Sequence, residues 1–280
     1  MKKLLIIAAL AACTPFCISA RMADPKSAID QEKKAMLKQR KEFKKNIRNQ
    51  EKEAMLEQRD QEKEAMLIQR EKFKENMHGK KVLNHNDKGT TQIYSGVFND
   101  PEFAQLEVIN LRQNKLTTIP ERVFYNLPKL QRIDLSNNQL KTIDANAFFY
   151  LPNLTTILLY ENQLTTIPES VFYNLPKLQK INLSFNQLTT IPVDAIKNLA
   201  NLQEINLRHN QLTTIPERVF YNLPKLQTID LSDNQLTTIP EGAFNNLPQL
   251  QTINLNYNKL TTIPADAFKN LPPKFRLIFK

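Results

Sequence analysis

The sequence predicts an α/β-type repeat solenoid with a parallel β-sheet, preceded by a long charged α-helix. The first observation is a ladder of asparagines that recur every 24 residues. A fixed period of this length indicates stacked units, each too small to bury its own apolar face. The second observation is that residues 24–80 consist almost entirely of strong helix formers. The seven ladder residues are Asn114, Asn138, Asn162, Asn186, Asn210, Asn234 and Asn258.

The net charge of +10 over 280 residues is unevenly distributed. Residues 21–80 carry 17 basic and 12 acidic side chains, whereas residues 97–280 carry 17 and 15. A protein that grips a nucleic-acid backbone needs a concentrated basic stripe. Because the repeats are nearly neutral, we expect no nucleic-acid partner.

Residues 1–20 have the pattern of an export signal, with a basic start followed by an apolar stretch over residues 4–12. Cleavage after Ala20 would leave a chain without cysteine. Alternatively, residues 10–13 resemble a bacterial lipobox, which would make Cys13 a lipidated terminus, and an uncleaved anchor is a third reading. The sequence therefore predicts an exported protein, secreted, periplasmic or on the cell surface. The same signal favours a bacterial origin.

Residues 21–80 form the predicted charged helix, in which Gln-Glu-Lys-(Glu or Lys)-Ala-Met-Leu occurs three times. Proline at position 25 suits its start and Gly79 its end. A broad, interrupted apolar stripe runs along the helix. It consists of a narrow arc with Met36, Phe43, Ile47, Ala54 and Ala65 and, about a quarter of a turn round, Leu37, Met55, Met66 and Phe73. Three readings stay open: a solvated stalk, a coiled coil that makes a homo-oligomer through residues 24–80, or a basic amphipathic helix on a membrane surface.

Residues 81–105 read as a linker with a degenerate N-terminal cap. Val82 and Leu83 suit a short capping strand, and Ile93 and Phe98 keep the apolar spacing of a repeat. Terminal repeats are expected to be atypical because they cover an open core. Residues 106–280 then form the repeat domain, with seven full units and a terminal strand.

Within each unit, apolar and polar residues alternate over the segment represented by residues 132–136, as in a strand with one exposed face. Asn138 and its equivalents follow the strand, where a side-chain amide can satisfy buried backbone groups of the turn. A phenylalanine in most units predicts an aromatic spine. Ile196 interrupts that spine in the fifth unit.

The pattern Leu-x-x-Leu-x-Leu-x-x-Asn-x-Leu resembles the leucine-rich repeat family, and Ile-Pro-x-x-x-Phe-x-x-Leu is similar to its 24-residue, typical extracellular subfamily. The resemblance covers residues 106–271. It implies a curved solenoid whose sheet lies on the concave side and serves as a protein-binding surface. The cysteine-rich caps that are usual in extracellular members have no counterpart in this chain.

The outward strand positions and the residue before each ladder asparagine vary from unit to unit, while the scaffold barely changes. We expect exposed Leu158, Tyr160 and Phe185 to form an apolar and aromatic patch. Buried aromatics and arginine dominate interface energetics. Neutral drift is the alternative explanation. The candidate partner-binding residues are Arg132, Leu158, Tyr160, Glu161, Lys180, Phe185, Glu204, Arg208, His209 and Tyr257.

No glycine-rich phosphate loop, nucleophile elbow or metal-binding motif is present in the sequence. We therefore expect no enzymatic activity, no cofactor and no metal. The sequence favours an exported module that recognises a protein partner. A structural surface spacer without a specific ligand and a host-directed adhesin or effector remain alternatives. Contact with a membrane is expected only through a lipid anchor or the basic helix.

Overall fold

The structure is a computed structural model that describes residues 25–280. The predicted export signal and Cys13 lie outside the described residues. Contacts divide the chain into two units, the first ending at Asp60 and the second running from Gln61 to Lys280. This division falls inside the long helix, whereas the sequence placed a boundary near residue 80. Among residues 25–280, no helix is both long and apolar enough to span a membrane.

The described chain contains one α-helix, α1 (Pro25–Glu75), twelve short strands and two 3₁₀ helices (Pro101–Gln105 and Ala265–Phe268). The helix starts at a proline, as expected. The strands are β1 (Met77–His78), β2 (Val82–Asn84), β3 (Val108–Asn110), β4 (Thr118–Ile119), β5 (Arg132–Asp134), β6 (Thr142–Ile143), β7 (Thr156–Leu158), β8 (Lys180–Asn182), β9 (Glu204–Asn206), β10 (Thr228–Asp230), β11 (Thr252–Asn254) and β12 (Arg276–Ile278).

The second unit is a solenoid built on one ten-stranded sheet with the order β1-β2-β3-β5-β7-β8-β9-β10-β11-β12. Every pair except β1–β2 is parallel. The 24-residue period keeps the register constant, so Ile133 pairs with Ile157 and Ile157 with Ile181. These central strand residues point inward and are fully buried. The predicted parallel solenoid is confirmed, and Val82–Asn84 is the capping strand that the sequence predicted.

A spine of phenylalanine rings fills the core opposite the sheet. Neighbouring rings stack from Phe98 to Phe172 with centroid distances of 5.8 to 6.2 Å, and again from Phe220 to Phe268 at 5.6 to 5.7 Å. Ile196 separates the two runs, as predicted, and is itself fully buried. Phe98 extends the spine into the degenerate first unit. The segment after residue 81 is therefore a complete, if irregular, turn of the solenoid.

The last turns of α1 close the N-terminal end of the solenoid core. Phe73 is fully buried and contacts the rings of Phe98, with 5.4 Å between centroids, and His85, at 4.7 Å. Arg70 fixes the helix by donating hydrogen bonds to the carbonyls of Gly96 and Val97, at 2.8 and 3.1 Å. The helix pattern places Phe73 on the apolar stripe but does not indicate this capping role. A packed helix thus covers the end of the core.

The first unit, over its described residues, is the solvent-covered part of α1. Met36, Phe43, Ile47 and Ala54 lie on its surface, with Met36 68% and Phe43 60% exposed. Met55, about a quarter of a turn round the helix, is also exposed. The part of the predicted apolar stripe that lies between residues 36 and 55 is therefore left uncovered in a single copy of the chain, whereas Phe73 at its end is buried.

Candidate functional site

The ladder asparagines lie along one edge of the sheet and join successive turns through hydrogen bonds. The Nδ2 of Asn138 donates to the carbonyls of Leu135 in its own unit and Leu111 in the preceding one, both at 3.0 Å. Its Oδ1 accepts from the amide of Leu116 at 3.0 Å. Buried backbone groups need such partners because solvent cannot reach them. The same three bonds recur at Asn162, Asn186, Asn210, Asn234 and Asn258.

The residue before each ladder asparagine adopts a left-handed backbone conformation. We name these seven positions the rim column. Their φ angles lie between 53° and 57°, a region that non-glycine residues adopt at a cost. The sequence shows that the column is variable but does not reveal this backbone conformation. The rim column consists of Gln113, Asn137, Glu161, Phe185, His209, Asp233 and Tyr257.

Phe185, Arg208, His209 and Asp233 meet on the rim and form what we call the rim cluster. The rings of Phe185 and His209 stack with 4.7 Å between centroids and 27° between planes. The Arg208 guanidinium carbon lies 5.7 Å from the Phe185 ring centroid, and its Nε donates to Asp233 Oδ2 at 2.8 Å. Phe185 nevertheless stays 39% exposed. The cluster therefore presents an aromatic ring and a cation whose positions are already fixed.

The sheet next to the rim cluster carries a cross-strand ion pair. Lys180 Nζ lies 2.7 Å from Glu204 Oε1, and both side chains are partly exposed. Two units away, Arg132 contacts Asp134 at 3.2 Å. Three predicted site residues, Lys180, Glu204 and Arg132, thus lie on the outward sheet face with their charges paired.

The remaining predicted residues are spread along the same edge. Tyr160 is partly exposed beneath Arg112, whose guanidinium carbon lies 5.8 Å from the tyrosine ring centroid. Glu161 is exposed, and Tyr257 is 72% exposed at the far end of the rim column. The structure therefore does not bring Tyr160 or Tyr257 into ring contact with the rim cluster.

The expectation that Leu158 is exposed is wrong, because only 7% of its surface is accessible. Its register neighbours are Asp134 and Asn182, on strands that lie about 4.8 Å away. Those neighbouring side chains leave little room around it. Leu158 therefore contributes to the packing of the sheet rather than to an exposed patch.

The column of Leu158 has a structural role that sequence analysis missed. Asn182 Oδ1 accepts from both the amide and the hydroxyl of Ser184, at 3.0 and 2.7 Å, and so turns the chain after the strand. Asp134 and Asp230 make the same bonds in their units. An Asn or Asp followed two residues later by Ser was the available signal. Variation between Asn and Asp in this column therefore maintains a turn.

Arg112 and Asp233 are contributors to the surface that the candidate list omitted. Arg112 joins two units, because its Nε donates to Asn137 Oδ1 at 3.0 Å while its guanidinium covers Tyr160. Asp233 fixes Arg208. Arg112 lies 25 residues from Asn137 and 48 residues from Tyr160, and Asp233 lies 25 residues from Arg208. These pairs meet because side chains in nearby turns of the solenoid are neighbours in space. Within the described part of the chain, no group of three or more His, Cys, Asp or Glu side chains is placed to hold a metal ion.

Comparison of the sequence with family models gives two overlapping matches. The BspA type Leucine rich repeat region, in six copies, matches residues 165–275. The Leucine rich repeat model matches residues 82–140, 104–164 and 128–188. The chain belongs to the leucine-rich repeat family. No curated protein matches this leucine-rich repeat chain in sequence.

Solved structures similar to this leucine-rich repeat protein include Toll from Drosophila in complex with Spatzle. That match has 30% identity and a TM-score of 0.62, and covers 64% of this chain but 24% of Toll. TLR13 in complex with ssRNA13 matches at 28% identity with a TM-score of 0.65, over 71% of this chain and 28% of TLR13. The chain therefore spans about a quarter of the length of either protein.

A leucine-rich repeat protein of Leptospira interrogans is similar in fold. It is 23% identical with a TM-score of 0.57, and the match covers 70% of this chain and 53% of that protein. At this identity the likeness concerns the fold alone.

Proposed function

We propose that the protein is an exported module that recognises a protein partner through the outward sheet face and the rim column. The observation that carries this proposal is the rim cluster, in which an exposed Phe185 is stacked on His209 and covered on one side by Arg208. Recognition is non-covalent. Leucine-rich repeat solenoids commonly bind proteins, and the Toll structure is a complex with Spatzle.

The backbone of the rim column argues against drift as the origin of Phe185. A left-handed conformation costs an ordinary L-residue about 1–2 kcal/mol, and Asn and Asp tolerate it best. Asn137 and Asp233 follow this preference, whereas Phe185 and Tyr257 oppose it. Large aromatic rings at such positions need a compensating advantage. Contact with a partner would supply one.

The chemistry of the rim cluster suits a protein interface. Tightly bound protein interfaces concentrate their energy in a few aromatic and arginine side chains. Here Asp233 and Phe185 hold Arg208 in place before any partner arrives. Side chains that are already ordered lose less entropy on binding, so pre-organisation increases affinity.

The charges of the outward face favour a protein over a nucleic acid. Arg132, Lys180 and Arg208 each lie within 3.2 Å of a carboxylate oxygen in the same or a neighbouring unit. A phosphate backbone is bound mainly through unpaired basic side chains. TLR13 was solved with ssRNA13, but the paired charges of this chain do not supply the concentrated basic stripe that such a ligand needs.

The proposed location is outside the cytoplasm, at the cell surface or secreted. It is supported by the signal-like pattern of residues 1–20 and by the 24-residue repeat length, which is similar to the extracellular subfamily. The similarity to Toll agrees with this location. Lipidation of Cys13 would add a membrane anchor, and cleavage after Ala20 would release the protein.

Site-specific photo-crosslinking tests the proposal. A photoreactive residue at position 161 lies one unit from Phe185 in the rim column, whereas one at Tyr173 lies on an exposed site away from the rim cluster. On intact cells or secreted fractions, we expect a discrete protein adduct from position 161 that disappears with Phe185→Asn and does not form from position 173. Equal labelling from both positions, or an adduct insensitive to Phe185→Asn, would contradict the proposal.

A further inference from the structure

Four apolar side chains on one face of α1 are exposed in a single copy of the chain. Met36, Phe43, Ile47 and Ala54 are separated by 7, 4 and 7 residues, which places them within a narrow arc of a helix with 3.6 residues per turn. More than half of the Met36 and Phe43 surfaces is accessible. We name this row the α1 stripe. Large apolar side chains that share one exposed face of a helix indicate an interaction surface.

The spacing of the α1 stripe is the same when it is read from either end, with Lys45 at its centre. Two copies that pair in antiparallel orientation about this centre place Met36 opposite Ala54 and Phe43 opposite Ile47. Each large side chain then faces a smaller one. A two-fold symmetric interface requires a surface that is complementary to itself, and this palindromic spacing meets the requirement. A parallel pair would instead place each Phe43 against the other.

The charges on either side of the centre select the same orientation. Residues 33–44 carry six basic side chains and one acidic, whereas residues 46–57 carry two basic and three acidic. Antiparallel pairing places the basic segment of each copy against the more acidic segment of the other, with Lys33 opposite Glu57. Parallel pairing places the two basic segments side by side. Charge patterns beside an apolar seam determine the orientation of paired helices.

We propose that two copies of this chain form an antiparallel helical dimer through the α1 stripe. The occupant of the uncovered face is thus a second copy, and the interface lies wholly within residues 33–57. This inference is independent of the proposed partner site, because the rim cluster belongs to the other unit of the chain. Dimerisation presents two rim clusters in one particle, which increases avidity for a multivalent or surface-bound partner.

Sedimentation equilibrium of the whole chain tests the association. We expect twice the chain mass, falling to the single-chain mass when Phe43→Glu and Ile47→Glu are combined. Met55→Glu adds one such charge at an apolar site that is 72% exposed and lies outside the stripe, and it should leave the mass unchanged. Circular dichroism checks that the variants keep their helix. A single-chain mass for the unaltered protein, or a dimer that survives the double substitution, would overturn the proposal.

Disulfide trapping tests the orientation in chains whose Cys13 and Cys17 are replaced by serine. Met36→Cys and Ala54→Cys chains are prepared separately, and an equal mixture should form a cross-linked heterodimer. Neither variant should cross-link to itself, because its two thiols would lie about 27 Å apart along an antiparallel pair. Self-linked dimers of either variant would show parallel pairing. Absence of any cross-link would equally overturn the antiparallel arrangement.

Discussion

The ring of Phe185 stacks on the imidazole of His209 from the next unit, with 4.7 Å between centroids. Both residues stand immediately before a ladder asparagine and share the left-handed backbone of the rim column. The buried amides of Asn186 and Asn210 fix the turns from which these two rings project. A scaffold feature thus places two side chains from separate repeats in direct contact.

Replacement of Tyr257 by asparagine should stabilise the protein by about 1 kcal/mol, because asparagine tolerates the left-handed conformation better than tyrosine. Tyr257 is 72% exposed, so little packing is lost. Urea titration followed by circular dichroism measures the change in midpoint. Asn137→Tyr, the reverse change in the same column, should destabilise by at least as much, because it also removes the hydrogen bond that Arg112 donates to Asn137. Stabilisation by both changes, or by neither, would contradict the strain argument.

Asn186→Ala should destabilise the solenoid by about 2 kcal/mol, because it leaves the buried amide of Leu164 without a hydrogen-bond partner. The carbonyls of Leu159 and Leu183 each lose one bond but keep another from Asn162 and Asn210. Asn258→Ala removes equivalent bonds where solvent has partial access, and we expect a smaller loss. Thermal unfolding of both variants provides the comparison. Equal losses would mean that burial does not determine the role of the ladder.

Phe73→Ala should open the N-terminal end of the solenoid, because a fully buried aromatic ring is removed at a cost of about 3–5 kcal/mol. The amide of His85, which donates to the carbonyl of Asn110, should then exchange with solvent much faster. Hydrogen exchange with mass spectrometry resolves this segment. Met55→Ala, at an exposed site on the same helix, should leave the exchange unchanged. Persistent protection in Phe73→Ala would show that the helix end is not the cap.

The same end of the solenoid should lose stability in mild acid. Burial, with Lys88 and Lys72 nearby, lowers the pKa of His85 from 6.5 to about 4. The His85 side chain therefore takes up a proton near pH 6.5 in the unfolded chain but only near pH 4 in the folded chain. The free energy of unfolding decreases as the pH falls through this window and is constant above it. At pH 5 the loss is on the order of 1–2 kcal/mol. Unfolding midpoints from pH 8 to pH 5 measure it.

The matched variant for the pH experiment is His85→Gln, which removes the titrating group. We expect its stability to be nearly flat over the same range. A pH profile that keeps its slope in His85→Gln would assign the effect to another residue.

The fold was predictable because the same local sequence pattern recurs in every repeat unit. Ile133 and its equivalents alternate with outward residues in every unit, and the 24-residue period alone sets the parallel register. The degenerate first unit was predictable from Ile93 and Phe98 for the same reason. The capping role of Phe73 was not predictable, since the helix pattern does not say which residues meet the solenoid. That contact depends on where the chain turns after Glu75.

The surface was predictable only in outline. Variation between units located the rim column, but a list of side chains does not give the backbone conformation that makes Phe185 and Tyr257 unusual there. Leu158 looked exposed because its place in the strand faces outward. Its burial depends on Asp134 and Asn182 in adjacent strands, which lie 24 residues away in sequence. Pairings such as Arg208 with Asp233 arise from the same proximity between turns.

The affinity of the cross-linked partner for Phe185→Asn tests the central claim most directly. Asparagine suits the left-handed backbone, so the variant should fold while lacking the ring that stacks on His209. We expect the dissociation constant to rise at least about tenfold, the effect of losing a residue that contributes about 1.4 kcal/mol or more. Tyr173→Asn, which removes an exposed ring elsewhere on the repeats, should leave it unchanged. An undiminished affinity in Phe185→Asn would contradict recognition through the rim cluster.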